Sequence, residues 1–340
     1  MQGRRAATSR PTMRDVAEAA GISMMTVSRV VNGDARVAQP TKARVQAAID
    51  ALGYRRNDIA RSLRPGHSSA LLGLIITNIV NPFYSVIALA VEQAARKRGF
   101  GLIVGNTDED IDRERELVDE LLIRRVDGLL IVPAGGDHSY MTAELARGVK
   151  VVFLGRPPGR VRADVVLVDD YGGARDGGLH LIGQGHRRIG FVGNQQGVYT
   201  ATRRLRGFRA ALKQAGLSLP ESLVRSGSQD VAAGQAAAEE LLRLPDPPTA
   251  LFASNNRNSI GALRAIRAVG RPVGLVGFDD FELADMIEAP FTVVAYDSDE
   301  MGRVATDLLV DRIQGDRAPP RRIVVPTRLV ARGSSGTPGP

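Results

Sequence analysis

The 340-residue chain contains no cysteine, which excludes disulfides and thiolate metal sites. It has four histidines, His67, His138, His180 and His186, and no HExxH pair among them, so no metal site is expected. Long apolar runs are also missing. The stretch LLGLII (71–76) is among the longest, and a bilayer span takes about 20 residues. The N-terminus carries arginines but no apolar stretch followed by a cleavage site, so no secretory leader is expected. A cytoplasmic, nucleoid-associated protein with no membrane partner is the expectation. No GxGxxG follows a strand-like run, and neither a GxxxxGK[ST] loop nor a GxSxG elbow occurs. The sequence therefore offers no catalytic residue and no cofactor site, and speaks against a dinucleotide oxidoreductase.

What the chain does have is an uneven charge. Residues 1–66 hold 12 Lys/Arg against 5 Asp/Glu, a net of +7. The whole chain is +8, from 45 against 37, which leaves only +1 for the rest. A basic head on a near-neutral body points to a nucleic-acid-binding module joined to something else. The cations are mostly arginine, since Lys42, Lys97, Lys150 and Lys213 are the only lysines. The length suggests two or three domains.

The head reads as three short helices. Thr12 can cap the first, with Asp15 three residues on as a variant of the capping box. Val16, Ala19 and Ala20 give it an apolar face, and Gly21 ends it. Ser23 caps a second helix with Val27, Val30 and Val31 turned inward, and Asn32-Gly33 closes it. A third, over 41–52, buries Val45, Ala48, Ile49 and Leu52. In a helix-turn-helix the N-terminal residues of the second helix meet base edges. Here those are Met24, Met25 and Arg29, with Thr26 and Ser28 placed for phosphates or capping. Arg29 can pair with guanine, while the methionines can only offer apolar contact to thymine methyls. Core packing is the alternative use of the two methionines.

From residue 71 onward, apolar strand-like runs alternate with amphipathic helices. The runs are 71–76, 101–105, 128–132, 150–154 and 165–168, then 188–193, 223–226, 249–254, 273–278 and 292–296. Helices over 204–215 and 260–269 are each closed by a glycine. Two such series predict two lobes, each a doubly wound parallel sheet. Ligands of such sheets bind beyond the carboxyl ends of the strands. The aromatics of Asn81-Pro82-Phe83-Tyr84, just after the first strand, can stack on a sugar or base, or pack in a core. Arg156 follows another strand; a guanidinium there suits ligand hydroxyls or carboxylates, or a surface ion pair.

The stretches DVAEAAGIS (15–23), TVSRVVNG (26–33), ALGYRRN (51–57) and ARSLR (60–64) resemble the lactose-repressor (LacI/GalR) family of bacterial transcription regulators, over almost the whole chain. The resemblance implies an all-α helix-turn-helix head (1–56), a hinge and linker (57–67), and a two-lobed body like a periplasmic binding protein (68–335). A disordered tail follows at 336–340, within the Gly/Ser/Pro-rich stretch 333–340, which is expected to be disordered. Chain crossovers are expected near 169, 296 and 320, with an amphipathic helix over 299–313 rejoining the first lobe. The DNA-binding set is then Thr12, Ser23, Met24, Met25, Thr26, Ser28, Arg29 and Asn32, with Asn57, Ala60, Arg61, Leu63 and Arg64 in the hinge. Leu63 matches the wedge leucine of the family and Ala60 its small neighbour; an apolar wedge unstacks a base step and gains a bent, more extensively contacted site. Ala38 departs from the family's capping serine.

The effector-binding set implied is Asn81, Phe83, Tyr84, Arg156, Arg204, Gln229, Asn256 and Asp279. Arg204 opens an RxxGF element, and Asp279 matches the family's ligand-binding acid. Asn256 stands where sugar-binding relatives often carry Asp, which favours an acidic ligand. Gln229, aromatic in purine-responsive relatives, and Gly135, an acid in ribose-binding ones, speak against purines and ribose. The expected partners are pseudo-palindromic double-stranded operator DNA, a second copy of the chain, and a sugar or sugar-acid effector acting on a repressor. A transport-type binding protein would have the same body but not residues 12–64, and a non-specific nucleoid protein would not need the body.

Overall fold

The structure is a computed structural model that describes residues 11–54, 68–193, 197–226, 230–282, 284–286 and 290–336. Two compact units divide at residues 69 and 70. The first contains α1 (Met13–Ala20), α2 (Met24–Val31) and α3 (Gln39–Leu52). Thr12 and Asp15 form a reciprocal capping box, the Thr12 N–H donating to Asp15 Oδ2 at 2.7 Å. Gly21, at φ 61°, ends α1 and lets the chain turn into Ser23, whose Oγ accepts the Thr26 N–H. The third helix has no side-chain cap at Ala38, as its missing hydroxyl requires, and starts through Pro40 instead.

Val16, Ala17, Ala20, Val27, Val45, Ala48 and Tyr54 form the core of this unit. Two expectations are corrected. Ala19 is exposed, because the buried stripe of α1 runs through 16, 17 and 20 and leaves 18 and 19 on the outside. Leu52 is also exposed; the left-handed turn at Gly53 redirects the chain so that Tyr54 enters the core in its place. Arg44 Nη2 donates to Ala20 O at 2.6 Å, satisfying a carbonyl that α1 leaves open at its end.

The second unit has two sheets. The first holds β1 (Leu71–Ile76), β2 (Gly101–Asn106), β3 (Gly128–Ile131), β4 (Val151–Leu154), β5 (Asp164–Val168) and β11 (Arg322–Val325), ordered β2-β1-β3-β4-β5-β11 and parallel throughout. The other holds β6 (Ile189–Gly193), β7 (Val224–Ser226), β8 (Ala250–Ala253), β9 (Gly274–Phe278), β10 (Thr292–Tyr296) and β12 (Thr327–Val330), ordered β7-β6-β8-β9-β10-β12. Only β12 among these strands runs antiparallel, against β10. All ten strands expected from apolar runs are present, their ends shifted by at most one residue. The edge strands β11 and β12 went unrecognised. Half-exposed and arginine-bearing, they lack the continuous apolar run of a strand buried on both faces.

The helices are α4 (Pro82–Lys97), α5 (Ile111–Ile123), α6 (Met141–Ala146), α7 (Asp170–Gly183), α8 (Tyr199–Gln214), α9 (Val231–Leu242), α10 (Asn256–Val269) and α11 (Ser298–Ile313). Helices α8 and α10 begin several residues earlier than expected, because their first turns are polar and carry no apolar period. The chain crosses between lobes at Asp169 and Asp297, and α11 returns to the first lobe with Met301, Ala305 and Leu308 buried. The third crossing falls at Pro326, between β11 and β12, rather than near 320. The terminal serines are not disordered. Ser334 Oγ donates to Leu275 O at 2.7 Å, and Ser335 Oγ lies 2.7 Å from His180 Nε2. Hydrogen bonding thus overrides the composition of 333–335.

Candidate functional site

The ends of β1, β3, β4 and β5 face those of β8, β9 and β10 across a narrow cleft, with about 60 Å³ of free space, between the two lobes of the second unit. Asn81, Phe83, Tyr84, Arg156, Arg204 and Asp279 all line it, so six of the eight expected residues converge. Asn256 lies behind the wall, its Nδ2 donating to Asn81 Oδ1 at 2.9 Å. Gln229 lies outside the described residues. Gly135 is exposed and does not line the cleft.

Arg204 organises the second lobe's side. Its Nε donates to Asp170 Oδ1 at 2.7 Å and its Nη1 to Ser254 O at 2.6 Å; Nη2 lies 3.2 Å from Asp279 Oδ1. The guanidinium also covers the Phe278 ring at 3.7 Å. Gly207 brings this group into place. A Cβ there would sit 2.1 Å from Tyr171 O, so only glycine lets α8 lie close enough to α7 for Arg204 to reach Asp170. Asp279 has φ 68°, an uncommon conformation for a non-glycine residue, held by its N–H to Val294 O at 3.0 Å.

The electrostatics follow from burial. Desolvation outweighs Arg204 at Asp170 and pushes its carboxyl up from 3.8 to about 6. Burial opposes the charge of Arg204 itself, but Asp279 and Asp170 more than restore it and its pKa is raised. Burial, then Asp279, raises the Tyr296 phenol, which keeps its proton and donates it to Asp279 Oδ1 at 3.1 Å. Asp170 Oδ2 is buried with no hydrogen-bond partner.

On the first lobe Arg156 is held bidentately by Glu109, at 2.5 and 2.7 Å, and donates to Pro133 O at 3.0 Å. The surface ion-pair alternative fails for both arginines, since each is buried. Phe83 stands edge-on to Tyr84 and Tyr296, at 4.8 and 6.0 Å between centroids. Tyr84 belongs to the core, Phe83 packs against that core, and both line the cleft.

Asp170, Glu109, Asn255 and Tyr296 are not among the residues that the sequence singles out. Asp170, Asn255 and Tyr296 each lie at or just past the carboxyl end of a strand, a signal that was available. Glu109 also lies just past a strand, β2, but its role depends on meeting Arg156 from 47 residues away.

In the first unit, Met24 and Met25 stand 58% and 68% exposed at the start of α2, which removes the core-packing alternative. Arg29 is exposed on the same helix. Ser23 and Thr26 bond to each other at 2.9 Å, and Asn32 Nδ2 donates to Ser28 Oγ at 3.3 Å. Asn57, Ala60, Arg61, Leu63 and Arg64 lie outside the described residues.

Residues 12–57 match the model of the bacterial regulatory proteins of the lacI family, and 179–335 match that of a periplasmic binding protein-like domain. The HTH-type transcriptional regulator CelR of Thermobifida fusca is 38% identical over 336 residues, 96% of this chain and 98% of that protein. The chain belongs to the lacI family. A second member, the ribose operon repressor of Escherichia coli, is 33% identical over 95% of the chain and 99% of its own length. Among solved structures, a CelR–cellobiose complex superposes with a TM-score of 0.72 at 36% identity, covering 96% of this chain and all of that one. The lac repressor dimer bound to operator and the anti-inducer ONPF superposes with a TM-score of 0.87 at 28% identity, covering 97% and 100%. Family membership makes the chain a regulator. Among the described residues, no helix is long and apolar enough to cross a membrane.

Proposed function

We propose that this lacI-family regulator is a dimeric, operator-binding repressor whose effector is a neutral sugar held in the cleft. The observation that carries the reading is the charge pairing of the cleft. Its two arginines meet three carboxylates, Asp170 and Asp279 at Arg204 and Glu109 at Arg156. Among the described residues lining the cleft, no cation is left over for a carboxylate ligand, and bringing one into this buried group would add an uncompensated charge. Sugar hydroxyls, by contrast, can donate to Asp279 and to the unpartnered Oδ2 of Asp170. This argues against the acidic ligand that Asn256 first suggested, and the names of two relatives, with cellobiose and the ribose operon, agree with a sugar.

Two heads in a dimer would read two half-sites through α2, with Leu63 as the minor-groove wedge. Effector binding would favour one arrangement of the lobes. To move that balance from 1:99 to 99:1 it must bind one arrangement better by about 5.5 kcal/mol. Isothermal titration of the full chain with cellobiose, ribose, glucose and their aldonic acids tests the ligand class. Heat from one neutral sugar and none from its acid is expected; saturable binding of the acid alone would overturn the reading.

A further inference from the structure

Asn81 and Asn256 belong to opposite lobes. Asn81 caps α4, and its Oδ1 accepts the Phe83 N–H at 3.1 Å. That bond fixes which way the amide faces, because turning it over would set an NH2 group against a backbone N–H. The same Oδ1 also faces the second lobe with its other lone pair, and whatever meets it there must donate. Asn256, the first residue of α10, does so through Nδ2 at 2.9 Å. It is 1% exposed, and its own Oδ1 has no partner. A carboxylate at 256 would put two acceptors face to face.

We propose that Asn256 is a clasp between the lobes: its amide proton, given to Asn81, holds the cleft closed and sets the balance that an effector must shift. The need for an amide here thus comes from the neighbouring lobe rather than from the charge of the ligand. The proposal rests on reading the cleft as the effector site, but its test needs no effector.

The cysteine-free chain accepts one spin label in each lobe, through Asp112→Cys on α5 and Asp246→Cys before β8, both exposed. Pulsed electron resonance on the effector-free, full-length protein would compare this pair alone, with Asn256→Asp, and with Asn256→Ala. Both substitutions are expected to move the distribution toward longer distances, Asp more than Ala because it also repels Asn81. Distributions that match the parent in both variants would overturn the clasp, as would a shift to shorter distances. A urea midpoint recorded on each labelled variant identifies any that fail to fold, and Asn256→Ala, which adds no charge, decides the matter if Asn256→Asp does so. Failure of the sugar titration with longer distances here would sink the effector reading and leave the clasp standing.

Discussion

The two units handle charge in opposite ways. In the head the side chains suited to DNA stand in solvent, Met24, Met25 and Arg29 among them. In the body the equivalent functional groups are buried and bonded to one another, Arg204 to two carboxylates and Arg156 to a third. A surface meant for a polyanion can leave its cations solvated until contact, since binding then releases counterions. A cleft that takes a small ligand holds its polar groups in place beforehand, and buried ones are stabilised by partners. Truncation should therefore cost the body stability and cost the head mainly recognition.

The largest expected effect is that of Arg204→Ala, which leaves Asp170 and Asp279 buried without their cation. A loss on the order of 3–5 kcal/mol is expected in urea unfolding of the body, together with loss of any sugar response. A change under 1 kcal/mol would mean that water replaces the guanidinium cheaply. Gly207→Ala comes next. Its methyl meets Tyr171 O, a backbone atom that cannot swing away, so α7 and α8 must part at a cost of about 1–3 kcal/mol. An unchanged urea midpoint would show that the helices can slip past each other.

A pH effect is expected at Asp170. Its folded pKa of about 6 lies above the ordinary 3.8. Between those values the folded state binds more protons than the unfolded one, so this group's contribution falls as pH rises from about 4 to 6 and is level above. Urea midpoints of the parent should fall through that window relative to Asp170→Asn; parallel profiles would remove Asp170 as the cause.

The head should respond more quietly. Ala38→Ser supplies the absent cap of α3 and should stabilise the head by about 0.5–1 kcal/mol, read from its own thermal transition. Arg29→Ala should leave stability within ~0.5 kcal/mol while relaxing base preference in selected duplexes. An unaltered preference would take Arg29 out of the readout.

The same contrast explains how far the sequence could be read. The head was legible because its determinants are local: Thr12 with Asp15, Gly21, and Ser23 with Thr26 lie within a few residues of each other. The strands were legible wherever an apolar run marks them, the exposed edge strand β2 included; β11 and β12 are four-residue strands that carry Arg322 and Arg328 and flank Pro326. In the cleft, Arg204 and Asp279 could be singled out one by one, but the contacts of Arg204 with Asp170 and Asp279 span 34 and 75 residues, and the first depends on Gly207. Asn256 was noticed for its missing charge, and only its distance to Asn81 shows what the amide does.

The most direct test combines both units in one titration. Fluorescence anisotropy of a selected pseudo-palindromic duplex would be followed at physiological salt with the full chain and with Asp279→Ala, while neutral sugars and sugar acids are added. One neutral sugar is expected to change duplex affinity at least tenfold in the parent, whereas Asp279→Ala should bind the duplex as tightly and ignore the sugar. A shift produced only by a sugar acid, or one that survives in Asp279→Ala, would contradict the neutral-sugar reading of the cleft.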